Sequence, residues 1–103
     1  MPKGYVILTE DIKDQSGMSA YGRAAAPSMA EGGASVLAVD PAPQVFEGEW
    51  HGDQTVILEF ESVEAARAWY GSAAYEAAKP LRYAAADTNA VIVSGFEMPP
   101  RSS

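Results

Sequence analysis

An α+β fold with a four-stranded antiparallel sheet and both helical segments on one face is predicted by three observations. Apolar runs of strand length and helical stretches follow one another as β-α-β-β-α-β. Gly and Asx turn residues separate them. The alternating residues of the strands leave one sheet face apolar. Two strand–helix–strand halves joined by a hairpin give the ferredoxin-like arrangement, with right-handed crossovers placing both helices on the same side.

The elements follow in order. Gly4 to Ile12 opens on the run Tyr5-Val6-Ile7-Leu8, suited to a buried strand. Asp14 to Gly17 is turn chemistry. Met18, Tyr21, Ala25 and Met29 recur at steps of three and four, one face of a helix. Pro27 should kink or restart that helix, and Gly32-Gly33 should stop it. Ala34 to Val39 is the second strand, broken by Asp40-Pro41-Ala42-Pro43 and resumed as extended chain over Gln44 to Trp50. Gly52-Asp53 reads as a hairpin turn into the third strand, Gln54 to Phe60. Ser62 is a good N-cap, with Glu64 complementing the dipole of a helix that ends at Gly71. Ser72 caps a further run to about Ala86 with a kink expected at Pro80. Asp87 to Asn89 then turns the chain into a last strand, Ala90 to Phe96. The domain is read as residues 1–98, with a frayed tail over 99–103.

Alternation puts Val6, Leu8, Val56, Leu58, Phe60, Val91 and Val93 under the helices, with Glu10 breaking the register. The other face carries Tyr5, Ile7, Thr9, Thr55, Ile57, Glu59, Ala90, Ile92, Ser94 and Phe96. It is too apolar for water, and the chain has no element left to cover it. A second copy of the protein, packed sheet to sheet, is the simplest cover. Burial of Ile7, Ile57 and Ile92 there is worth ~1.5–3 kcal/mol each. Thr9, Thr55, Glu59 and Ser94 would then be polar anchors in a cavity that takes a small apolar or aromatic ligand.

Among candidate site residues, Glu59 is read either as a general base with a burial-raised pKa or as an ion-pair partner of Arg82. Arg82 is an anchor for an anionic ligand or a structural bridge. His51, the only histidine, is a proton carrier near neutral pH or an exposed turn residue. Tyr5 and Tyr21 can present hydroxyls to a cavity, whereas Trp69 and Tyr70 are read as packing. Glu10, Asp11, Asp14, Glu47, Glu49 and Asp53 are read as a solvated acidic surface. Glu59, Arg82 and Tyr21 are expected to converge at the open end of the sheet.

Composition narrows the classes. At 103 residues, 48% hydrophobic and 20% charged, the chain is an ordinary globular domain. A formal charge of −7 argues against nucleic acid as partner. With no cysteine, neither disulfides nor thiolate chemistry arise. No HxxxH spacing suggests a metal, no Gly-rich fingerprint suggests a nucleotide cofactor, and no nucleophile elbow appears. The N-terminus reads as a strand and no run is long enough to span a membrane, so a cytoplasmic protein is expected.

The Gly4-Tyr5-Val6-Ile7 start, EGxW at Glu47 to Trp50, EF-x-S-x-E-A-A at Glu59 to Ala66, WY-x-S-x-x-Y at Trp69 to Tyr75 and A-x-P-L-R ending at Arg82 together resemble a small bacterial family of domains of unknown function. That family lies in the dimeric α/β-barrel superfamily. The resemblance spans about Gly4 to Gly95 and implies a ferredoxin-like fold and a homodimer whose sheets close into a barrel. Superfamily relatives include cofactor-independent quinone-forming monooxygenases, muconolactone isomerases and stress-responsive barrel proteins. Two functions follow as expectations. One is small-molecule binding without turnover. The other is cofactor-independent monooxygenase or isomerase chemistry on a small apolar or aromatic acid, with Glu59 or His51 as base.

Overall fold

The computed structural model describes residues 2–97, so the expected tail lies outside the described residues. The order is β1 (Gly4–Ile12), α1 (Gln15–Gly32), β2 (Ser35–Asp40), β3 (Gln54–Phe60), α2 (Val63–Tyr70), α3 (Ala73–Ala85) and β4 (Ala86–Ser94). The strands form one antiparallel sheet in the order β2-β3-β1-β4, with β1 and β3 central. This is the ferredoxin-like fold.

Local chemistry sets the helix ends. Asp14 caps α1 by accepting from Gly17 N, and Gly33 closes it in the left-handed region at φ 76°. Ser62 and Ser72 cap α2 and α3 by accepting from Ala65 N and Tyr75 N. Neither proline breaks its helix: Pro27 lies inside α1 and Pro80 inside α3. Both face solvent, where water can satisfy the carbonyl four residues back.

Cross-strand pairing builds the core in rows. On the helix side Val36, Leu58, Val6 and Ile92 align, then Val39, Val56, Leu8 and Ala90, then Gln54, Glu10 and Thr88. Trp69, Phe60 and Tyr75 fill the space above them, with ring centroids 4.1 Å apart for Trp69–Tyr75 and 5.3 Å for Phe60–Trp69. The open face repeats the pattern with Ala38, Ile57, Ile7 and Val91 in one row, and Ser35, Glu59, Tyr5 and Val93 in another. The molecule is only 15 Å deep along its shortest axis, one sheet and one helical layer.

Three expectations are corrected. β4 begins at Ala86 without a turn, because Asp87, Thr88 and Asn89 pair with Asp11, Glu10 and Thr9 of the nine-residue β1. This pairing reverses the faces assigned to β4. Ile92 lies on the helix side against the core, and Ser94, opposite Gly4, shares that side. Val91 and Val93 point to the open face, where Val91 is 52% exposed. Finally, residues 41–53 form no strand and no tight hairpin. They make an arm that carries Val45, Phe46 and Trp50, with Phe46 88% exposed.

The arm is anchored at Gly52. Its φ is 77°, Asp53 N donates to Glu10 O at 2.8 Å, and a Cβ at Gly52 would lie 2.4 Å from the Glu10 carbonyl. A side chain there meets both a disfavoured dihedral and fixed backbone. Gly52→Ala is expected to destabilise by about 1–3 kcal/mol, read as a lower urea midpoint with an unchanged slope.

Candidate functional site

Helix α1 packs mainly against α3 and α2 and stands off the sheet near β2. The gap is a half-open cavity of about 260 Å³. Its walls are Leu8, Val56 and Leu58 from the sheet and Met18, Tyr21 and Met29 from the inner stripe of α1. Glu10 and Gln54 also line it. Glu10 is 1% exposed, and its Oε1 accepts from Gln54 Nε2 at 2.9 Å. Beside it in the strand register, Thr88 Oγ1 is buried with no hydrogen-bond partner among the described residues.

Tyr21 begins a polar chain behind this cavity. Its hydroxyl is 2.6 Å from that of Tyr75, which accepts from Arg82 Nη1 at 3.0 Å. Arg82 Nη2 donates to Tyr70 at 3.4 Å, and Nε is buried without a partner among the described residues. Lys79 lies 3.7 Å over the Tyr70 ring. Burial opposes the Arg82 charge, but the bond to Tyr70 and the three phenols hold its pKa above the ordinary value. Burial pushes the Tyr21 phenol up, against its bond to Tyr75 and the Arg82 charge. Burial, reinforced by Tyr21, raises Tyr75 far more. At Tyr70 burial pulls upward too, but the Arg82 bond and the nearby cations outweigh it and the phenol sits low.

These phenols make stability depend on alkaline pH. The folded state keeps the Tyr21 and Tyr75 protons beyond the pH at which the unfolded chain releases its own. The unfolded state therefore binds fewer protons above about pH 10, and stability falls there. The urea midpoint should drop between about pH 9 and about pH 11, and by less in Tyr75→Phe.

The sequence-derived site residues divide between the two sheet faces. Tyr21 and Arg82 meet through Tyr75 on the helix side, but Glu59 does not join them. Its neighbours Leu58 and Phe60 are buried beneath the helices, so parity turns Glu59 to the open face. There Tyr5 donates to its Oε2 at 3.0 Å, and Lys3 Nζ stands 3.9 Å from Oε1. That bond comes first in raising the Tyr5 phenol, with burial second. The expected Glu59–Arg82 pair is corrected accordingly. His51 and Thr9 are joined on the open face, Nδ1 to Oγ1 at 2.9 Å, with Asp87 Oδ2 3.9 Å from Nε2. Trp50 Nε1 donates to Thr55 Oγ1 at 2.8 Å beside a cleft of about 300 Å³ between the arm and Ala38 and Ile57. Ser94 is exposed at the far strand end and donates to Gly95 O at 3.4 Å.

Glu10 is a correction of the opposite kind, a buried carboxylate where a solvated one was expected. The signal was its parity, two residues beyond Leu8 and four beyond Val6. A larger depression, about 600 Å³, lies between the end of α1, one side of α2 and the start of α3. Its lining is mainly small side chains with Glu31 its only charge, so it offers no converging chemistry.

Fold and cavity define a ferredoxin-like α+β protein with a polar-ended cleft between its first helix and its sheet. The sequence matches the family described as Domain of unknown function (DUF1330) over residues 3–96, and the chain belongs to that family. No curated protein matches it in sequence. Among solved structures it is similar to RPA0582, a protein of unknown function from Rhodopseudomonas palustris, at 19% identity and TM-score 0.78, covering 94% of this chain and 85% of the other. It is similar to SnoaB, a cofactor-independent oxygenase from Streptomyces nogalater, at 8% identity and TM-score 0.65 over 98% and 100% of the two chains. A dimeric protein of unknown function from Bacteroides fragilis, with a ferredoxin-like fold, aligns at 12% identity and TM-score 0.59 over 89% and 95%. At such identities the likeness is one of fold.

Proposed function

We propose that this protein binds a small molecule in the cavity between α1 and the sheet, and that it does so as a homodimer joined through the open sheet face. One observation carries the ligand reading: an apolar-walled cavity that ends on the buried Glu10 and its half-buried partner Gln54 beside Tyr21. Apolar lining with a few convergent polar groups is the usual make-up of a ligand site. The dimer reading is supported by the apolar rows of the open face, the exposed arm and the dimeric Bacteroides fragilis protein. Glu59, His51, Thr9 and Tyr5 would then serve the interface side of the sheet.

Gly22 supplies the test. It lines the cavity, and a Cβ built on it meets nothing within 4 Å. Gly22→Leu should fill the cavity and, by removing a mid-helix glycine, raise stability by about 0.5–1 kcal/mol. Monocyclic fragments at about five times Kd should protect the wild type by about 1 kcal/mol, a Tm rise of roughly 4–8 °C. Gly22→Leu should lose that protection. Equal protection of both proteins would place the fragments elsewhere.

A second reading is cofactor-independent catalysis, favoured by the buried Glu10 carboxylate and the Tyr21 phenol lining one cavity. Glu10, not Glu59, would be its proton acceptor. Turnover of a bound compound, lost in Glu10→Gln with the fold intact, would establish it.

A further inference from the structure

The charge of the cavity limits what it takes. Arg82, the anchor expected for an anionic ligand, is 2% exposed and spends both Nη groups on Tyr75 and Tyr70, so its fork is turned to phenols behind the wall. The one charged side chain among the cavity-lining residues is Glu10. Gln54 gives its amide N–H to Glu10 and keeps its carbonyl as a further acceptor, and Tyr21, whose hydroxyl meets that of Tyr75, borders the same lining. The polar end is thus rich in acceptors. A carboxylate ligand would enter against a buried negative charge in a chain of net charge −7. An ammonium would find a charge-assisted bond to Glu10 in a site shielded from water. The cavity volume, about 260 Å³, is at the small end for ligand sites and suits a single ring.

Building on the cavity reading above, we propose that this site selects a small ligand with an ammonium head and a monocyclic apolar body. The head bonds Glu10, with the Gln54 carbonyl as flanking acceptor, and the ring lies among Tyr21, Met18, Met29, Val56 and Leu58. Anionic aromatic acids are excluded.

Three probes of similar shape test this: 2-phenylethylamine, 2-phenylethanol and 3-phenylpropionate. Each is titrated into the protein near neutral pH while the Met18 and Met29 methyl resonances are followed. The amine should bind at least about tenfold tighter than the alcohol, and the acid most weakly. Glu10→Gln should erase the amine's advantage over the alcohol. Glu10→Asp, which keeps the charge, should retain a preference. Tightest binding by the acid, or an amine preference that survives Glu10→Gln, would overturn the charge selection alone. If these probes leave both methyls unmoved while other monocyclic fragments shift them, the charge selection again fails and the cavity reading stands. If nothing shifts them, the cavity reading fails with it.

Discussion

Replacing Trp69 by Ala should cost about 3–5 kcal/mol of folding stability, the largest single-residue loss expected in the core. Trp69 is buried at the junction of all three helices and the sheet. Its ring lies 4.1 Å from Tyr75 of α3, 5.3 Å from Phe60 of β3 and 6.0 Å from Tyr70, centroid to centroid. Its Nε1 donates to Ser28 Oγ of α1 at 3.2 Å. Truncation would remove the packing, open a cavity and break this link between α1 and α2. The cost approaches the total stability of many small domains, ~5–15 kcal/mol. Urea unfolding followed by circular dichroism measures it directly. Trp69→Phe should lose much less, since most of the ring contact survives. A midpoint unchanged in Trp69→Ala would show that the helical layer is held by other contacts.

Ile57→Lys should convert the proposed dimer to a monomer. Ile57 sits mid-sheet on the open face, in line with Ile7, Val91 and Ala38. In a sheet-to-sheet dimer, a lysine there brings an unpaired charge into a desolvated contact, a penalty of several kcal/mol and therefore of orders of magnitude in the dimer constant. In the isolated subunit the same lysine can reach water from an open face, so the fold should persist. Light scattering at micromolar concentration would show half the wild-type mass with an unchanged circular dichroism spectrum. A wild type that is itself a monomer, or a dimer indifferent to Ile57→Lys, would remove the open face from the interface.

Much of the fold is legible where local chemistry and tertiary demand agree. β1 and β3 follow from apolar runs, and Ser62, Gly71 and Ser72 mark helix ends by side-chain and backbone preferences that act within a few residues. The misreadings share one cause, long-range pairing. Asp87-Thr88-Asn89 has turn composition, yet the long β1 offers an unpaired edge and recruits it into β4. That one addition fixes the register and sends Ile92 inward and Val91 outward. The same parity decides the site. Glu10 belongs with Val6 and Leu8 by spacing, but an acidic side chain in a core-facing position reads as surface until Gln54 is seen to meet it. Glu59 and Arg82 are both polar residues near apolar runs, and only the three-dimensional layering shows that the sheet stands between them. The cavity itself was out of reach, because α1 carries an amphipathic stripe whether it rests on the sheet or stands off it.

Diffraction from crystals soaked with monocyclic fragments decides whether a ligand sits between α1 and the sheet. Electron density is expected there, bounded by Glu10, Gln54, Tyr21 and Met29, and none in crystals of Gly22→Leu. Fragments found only in the cleft between the arm and Ile57, with the α1 cavity empty in every soak, would contradict it.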